Sequence, residues 1–235
     1  MKKMIIASTS TVYGSDYLEY LLPVIKELYK DISEVVFIPY AQPSGMSYDD
    51  YTALAEKTFK KIDIKIKGLH TFDNPQKALE KARGVFVGGG NTFLLVATLY
   101  KFELMSVLKN VIEKGTSYLG TSAGSNICGL TMQTTNDMPI IYPPSFDTLG
   151  VIPFNINPHY LDPDLNSKHK GETRETRIKE YHTLNAIPVL GLREGSWLDV
   201  KGDSIILKGS LVARLFQQNK KPKELIFLTN IIDEI

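Results

Sequence analysis

Short runs rich in β-branched residues alternate along this chain with longer segments of helical period, and no other feature restricts the fold as much. Residues 4–8 form a first apolar run. Leu18, Leu21, Leu22, Ile25 and Leu28 then share one stripe of a helix predicted over 17–29, with Pro23 interrupting its middle. Glu34-Val35-Val36-Phe37-Ile38-Pro39 reads as a buried strand, and Tyr51, Leu54, Ala55, Thr58, Phe59 and Ile62 return to helical spacing. Strands over 62–67 and 85–87 flank a short helix started by Asn74-Pro75. Helices over 92–100 and 103–114 lead to a strand over 117–121 and a helix from Ala123. Repeated βαβ units with near-continuous apolar strands imply an α/β three-layer sandwich around a mostly parallel sheet, with ligands at the carboxyl ends of its strands. After Ser196 the pattern changes to runs over 197–200, 204–207 and 212–216, read as antiparallel hairpins added to that sheet.

No repeat or Pro/Gly/Ser linker divides the 235 residues, so 1–235 is read as one domain. A charged stretch over 162–179 reads as a surface loop entering a helix. Lys plus Arg number 27 against 26 Asp plus Glu; a formal charge of +1 offers no global field for nucleic acid or an anionic membrane. The first apolar run is too short for a secretory segment or a membrane span. Cys128 is the one cysteine, and no Cys/His cluster has the spacing of a metal site, so neither metal nor cofactor is expected and a reducing cytoplasm fits. The oligomeric state is open, and a homo-oligomer is compatible with everything above.

Gly120-Thr121-Ser122-Ala123-Gly124 has the G-x-S-x-G form and stands where a predicted strand meets a predicted helix. A serine on such a turn projects its hydroxyl above the sheet, and Ala123 can offer its backbone N–H to an oxyanion. The pentapeptide alone would equally suit a tightly packed turn or a phosphate cradle. Gly88-Gly89-Gly90-Asn91 follows the 85–87 strand and would lie at the same sheet edge, where its N–H groups form the natural other half of an oxyanion hole. Read plainly, that turn is also a helix start capped by Asn91.

A serine nucleophile needs a base, and histidine suits that task near neutral pH. Of four histidines, His159 directly follows a strand in Phe154-Asn155-Ile156-Asn157-Pro158-His159-Tyr160 and can occupy the active edge. His169, between lysines, reads as solvated, His182 as surface or packing on a helix, and His70 as a loop residue. The imidazole needs a carboxylate to hold its tautomer, and two candidates stand out: Glu194 at a strand-to-turn junction and Asp137 in the loop after the nucleophile helix. These patterns leave the choice open.

The segments Phe37-Ile38-Pro39-Tyr40-Ala41, Gly88 to Thr92, Gly120 to Asn126, Thr134-Thr135-Asn136-Asp137-Met138-Pro139, Pro153 to Tyr160 and Gly171-Glu172-Thr173-Arg174 occur in an order that resembles the peptidase E family. Those proteins are aspartyl dipeptidases with a fold like class I glutamine amidotransferases. The resemblance implies Ser122 as nucleophile, His159 as base, either Asp137 or Glu194 as the third member, and Gly89 with Ala123 as oxyanion donors; Glu194 is favoured here as the orienting acid, with Asp137 retained as a site residue. Amidotransferases of this fold carry cysteine at the elbow, and α/β-hydrolases order their triad serine, acid, histidine; both differ from this chain.

The implied partner is a small peptide with an N-terminal aspartate, whose side-chain carboxylate needs a cation. Arg174 and Arg177 are candidates, although with Glu172, Glu175 and Lys179 they could equally form a solvated helix face. Gly88, Gly90 and Asn91 are further candidates for contacting substrate. Two rival readings share these motifs: a cyanophycinase-like peptidase and a non-catalytic small-molecule binding protein.

Overall fold

The first strand, β1 (Lys3–Ala7), sends Met4 and Ile6 into one buried cluster and Ile5 and Ala7 into another, as a strand covered on both faces must. The computed structural model describes every residue except Ser44, Leu165, Ser167, His169 and Lys170, so the expectation of a solvated His169 lies outside the described residues. The chain continues through α1 (Leu22–Leu28), β2 (Glu34–Ile38), α2 (Tyr48–Phe59), β3 (Lys65–Gly68), α3 (Pro75–Lys81), β4 (Gly84–Val87), α4 (Thr92–Lys101), α5 (Met105–Lys114) and β5 (Ser117–Thr121). Val36, Ile38, Val85, Val87 and Tyr118 share the layer of Met4 with Leu79 of α3, Leu95 and Leu99 of α4, and Leu108 and Ile112 of α5. Val35, Phe37, Phe86 and Leu119 face the other way, onto Ile25 of α1 and Tyr51, Ala55 and Phe59 of α2. This is the three-layer sandwich the alternation predicts. Each fully buried phenylalanine in it contributes about 2 kcal/mol.

The central sheet has the order β3-β2-β4-β5-β1-β8-β9, where β8 (Ser196–Lys201) and β9 (Ser204–Gly209) follow later in the chain. Its first five strands run parallel; β8 joins β1 antiparallel and β9 joins β8 antiparallel. The outer strand β3 alternates exposed Lys65 and Lys67 with buried Ile66, a charged edge that discourages pairing with another chain.

Two expectations change. The helix predicted over 17–29 is a 3₁₀ turn at Glu19–Leu21 followed by the shorter α1, because Pro23 sits in the first helical turn, where a missing N–H costs nothing. The run over 212–216 does not join the central sheet. It forms β10 (Ala213–Phe216) of a second sheet ordered β11-β10-β7-β6, made with β6 (Asn155–Pro158), β7 (Val189–Leu192) and β11 (Lys223–Leu225). The reason is register: Ala213 and Leu215 pair with Leu192 and Leu190, burying all four, whereas β9 already forms the outer strand beside β8. Among the described residues, the remaining α-helices are α6 (Ala123–Asn126), a single turn, and α7 (Arg174–Tyr181) at the end of the charged stretch. None of the described helices is long and apolar enough to cross a membrane.

Candidate active site

The parallel strands β1, β4 and β5 end side by side, and the backbone leaving β5 at Ser122 turns through φ 53, ψ −110. For a non-glycine residue this conformation costs about 1–3 kcal/mol and persists only where its surroundings enforce it. They do so here. The Ser122 N–H donates to the Ala7 carbonyl (3.2 Å), while the Ser125 hydroxyl lies 2.6 Å from that carbonyl and 2.8 Å from the Gly120 carbonyl. Tyr118 donates its hydroxyl to the Gly124 carbonyl (2.6 Å). Gly124 packs so closely on the Val87 carbonyl that any Cβ would overlap it, which is why α6 can start directly beneath the elbow.

His159 follows β6 and, like Ser122, has a positive φ of 53. Its ring lies between two partners: Nε2 is 2.8 Å from Ser122 Oγ, and Nδ1 is 2.6 Å from Glu194 Oε1. A carboxylate only accepts, so Nδ1–H donates to Glu194 and the Nε2 lone pair faces the serine hydroxyl. Glu194 stands in the turn between β7 and β8, before Gly195 at φ 80. Asp137 lies elsewhere: its Oδ2 accepts from the Thr92 N–H at the start of α4 (2.7 Å) and from the Thr135 hydroxyl (2.9 Å). The structure therefore brings Glu194, and not Asp137, to the imidazole.

The glycine turn reaches the same place. A Cβ on Gly89 would stand 3.0 Å from Ser122 Cβ and 3.6 Å from its Oγ. The Tyr51 hydroxyl and Gln42 Nε2 both donate to the Gly89 carbonyl (3.3 Å each). Gly88 donates its N–H to Ile38 and Asn91 to Ala41, whereas the N–H groups of Gly89 and Ala123 have no acceptor among the described residues. Gly90, at φ 137, passes directly over the Ala41 carbonyl, a path closed to residues with a side chain. Asn91 is engaged at both ends of its amide: Oδ1 caps α4 through Leu94 N–H (3.0 Å), and Nδ2 donates to the Met138 carbonyl (2.9 Å).

The two arginines separate. Arg174 opens α7, capped by Thr173, and is half-buried; Arg177 is exposed and loosely paired with Glu172 at 3.9 Å. Burial first, and then the like charge of Arg177, pull the Arg174 guanidinium below its usual value, opposed by the carboxylates of Glu194 and Asp137. Arg174 thus sits in the field of both acids at the site. Among the other candidates, Cys128 is buried, with its thiol pushed up to about 12 by that burial, and is not reactive. His70 pairs with Asp49 at 2.8 Å, and His182 is buried at the end of α7. The described residues hold no group of three or more His, Cys, Asp or Glu suited to a metal.

A family model, Peptidase family S51, matches residues 4–208. The chain belongs to peptidase family S51. A "Peptidase E" of Streptomyces coelicolor is 46% identical over 222 residues, covering 94% of this chain and 90% of that one. A "Probable alpha-aspartyl dipeptidase" of Drosophila melanogaster is 41% identical over 233 residues, covering 98% and 96%. Among solved structures, a putative peptidase E protein from Listeria monocytogenes superposes with a TM-score of 0.68 at 21% identity, covering 90% of this chain and all of that one. A peptidase from an acI-B1 Actinobacterium superposes at 0.70 and 17% identity, covering 97% and 95%. The resemblance read from the motifs is therefore sound, and so is the fold it implied.

Around the S51 site, sequence reasoning missed the side chains that support it. Asn157 donates to the Thr134 carbonyl (2.9 Å) and to Asn136 Oδ1 (2.8 Å), Asn136 donates to the Pro158 carbonyl (2.7 Å), and Asn126 donates to the Ile156 carbonyl (2.8 Å). This amide ladder ties β6, and so His159, to the Asp137 loop and to α6. Its only sequence signal is the density of asparagine in and just after the quoted motifs. A cavity of about 590 Å³ lies at the opposite, amino-terminal end of the sheet beside Lys3, Arg83 and Lys201, and contains no residue of the site.

Proposed function

We propose that this chain is a serine dipeptidase that hydrolyses peptides with an N-terminal aspartate through an acyl-enzyme on Ser122. The observation that carries the reading is the alignment Ser122 Oγ to His159 Nε2 (2.8 Å) and His159 Nδ1 to Glu194 (2.6 Å) at the carboxyl edge of a parallel sheet. His159 accepts the hydroxyl proton as Ser122 attacks the peptide carbonyl, and Glu194 stabilises the imidazolium. The oxyanion is received by the N–H groups of Gly89 and Ala123, neither of which has an acceptor among the described residues. His159 then returns the proton to the departing amine, and water resolves the ester by the same steps reversed. The chemistry uses a side-chain hydroxyl as nucleophile and needs neither metal nor cofactor.

The aspartyl preference rests on Arg174, half-buried and close enough to Glu194 and Asp137 to feel both charges, where a guanidinium can take a substrate carboxylate through two parallel hydrogen bonds. Arg177 is the outer member of the pair and acts on Arg174 through its charge. Gly88 and Gly90 shape the turn that the scissile bond approaches, and Asn91 supports it. Asp137 acts by holding the start of α4 and by its field on Arg174. The enzyme works on small peptides in the cytoplasm, without nucleic acid or membrane as partner, in keeping with its near-zero net charge and single buried cysteine.

The test is hydrolysis of a panel of Xaa-Leu dipeptides with and without a chelator, alongside an aspartyl–arginine polymer. Asp-Leu should be cleaved fastest, at a rate the chelator leaves unchanged, and Ser122→Ala should lower kcat by at least about 10⁴-fold. Activity retained in Ser122→Ala, or faster cleavage of the polymer than of Asp-Leu, would overturn the reading.

A further inference from the structure

The residue that follows β1 is Ser8, fully buried, with bonds to three separate parts of the chain. Its hydroxyl donates to the Leu192 carbonyl (2.7 Å) and accepts the His159 backbone N–H (2.8 Å), and its own N–H donates to the Ser196 carbonyl (3.0 Å). Leu192 and Ser196 stand two residues before and two residues after Glu194, so Ser8 grips both ends of the turn that carries the acid. The same hydroxyl holds the base by its backbone, at a residue whose positive φ needs an external tether. Ala7, next to Ser8, accepts the Ser122 N–H. The last strand residue and its neighbour thus bind the supports of all three groups, although β1 belongs to the central sheet and β6 and β7 to the other.

We infer that Ser8 is a positioning residue for the reaction: its hydroxyl fixes His159 and Glu194 relative to Ser122 across the junction of the two sheets. The inference rests on the serine-peptidase reading of the site. Aligned proton transfer is sensitive to small displacements, and a misplacement of about 1 Å can cost 10²-fold in rate. Arg174, which takes the aspartyl side chain in that reading, is not among the groups that Ser8 bonds.

The experiment compares Ser8→Ala, which removes both hydroxyl bonds, with Ser8→Cys, which keeps the shape and a weak donor. Thr58→Val serves as control, deleting the part-buried bond from the Thr58 hydroxyl of α2 to the Tyr17 carbonyl, which involves none of the groups that Ser8 bonds. Ser8→Ala should lower kcat for Asp-Leu by about tenfold to hundredfold with KM within twofold, Ser8→Cys should recover part of the loss, and Thr58→Val should keep the wild-type kcat. The His159 Nδ1 proton, observed by NMR without substrate, should resonate far downfield in the wild type and lose that shift in Ser8→Ala. A kcat for Ser8→Ala within twofold of wild type, a rise in KM alone, or an unchanged Nδ1 resonance would overturn the inference. So would failure of both Ser8 variants to fold, because the hydroxyl would then serve folding and not alignment. The resonance needs no turnover, so the inference is judged even if the dipeptide panel shows no hydrolysis, an outcome that counts against the peptidase reading by itself.

Discussion

Ser122 carries the cost of its own exposure. At φ 53 and ψ −110 the backbone is strained for any residue with a Cβ, and relief of that strain should be measurable. Ser122→Gly is expected to have an unfolding free energy about 1 kcal/mol above that of Ser122→Ala in denaturant titrations, with both inactive; equal stabilities would show that the elbow is unstrained. For the acid, Glu194→Gln keeps the size of the side chain but removes the charge that stabilises the imidazolium. Its kcat for Asp-Leu should fall by about 10²–10⁴-fold, while Asp137→Asn, acting on the start of α4, should cost tenfold or less together with about 1 kcal/mol of stability. A larger kcat loss in Asp137→Asn than in Glu194→Gln would reverse the assignment. At this scale the sequence singles out Ser122 by its elbow and His159 by its place after a strand, while the meeting of their two sheets is decided by packing. It leaves Glu194 and Asp137 unresolved, since both are acids in turns and only the path of the intervening chain decides which meets the ring.

Helix α7 illustrates how an element links stability to specificity. Arg174 lies at its start and His182 at its end, where the imidazole is buried with neither ring nitrogen paired among the described residues. Burial holds the His182 pKa below its usual value, with the nearby Asn185 backbone pulling the other way. The folded state therefore binds the proton less readily than the unfolded chain. This contribution to stability is complete above the unfolded value of about 6.5 and is lost as pH falls below it toward the folded value. Urea unfolding between pH 7.5 and 5 should show wild-type stability declining over that window, with the slope reduced in His182→Leu; identical slopes would remove His182 from the account. The same period reading that marks α4 and α5 correctly overextends α1, because apolar spacing continues through Leu18 and Leu21 while Pro23 can only begin a helix.

At the level of the whole molecule, one sheet carries Ser122 and the glycine turn, and the other carries His159 after β6 and leads through β7 to Glu194. Local pattern specifies most of the first sheet, since residues alternating between two buried layers can only be strands of a covered parallel sheet. The sequence by itself determined the elbow at Ser122, the glycine turn at Gly89 and a histidine at a strand end, because each is a property of a few adjacent residues. Only the tertiary structure decided that β10 leaves the central sheet, that Glu194 and not Asp137 bonds the imidazole, and that Ser8 bonds across the two sheets. Those outcomes depend on contacts between residues as far as 184 positions apart, which no local period encodes and which burial and hydrogen-bond satisfaction select only once the chain is packed.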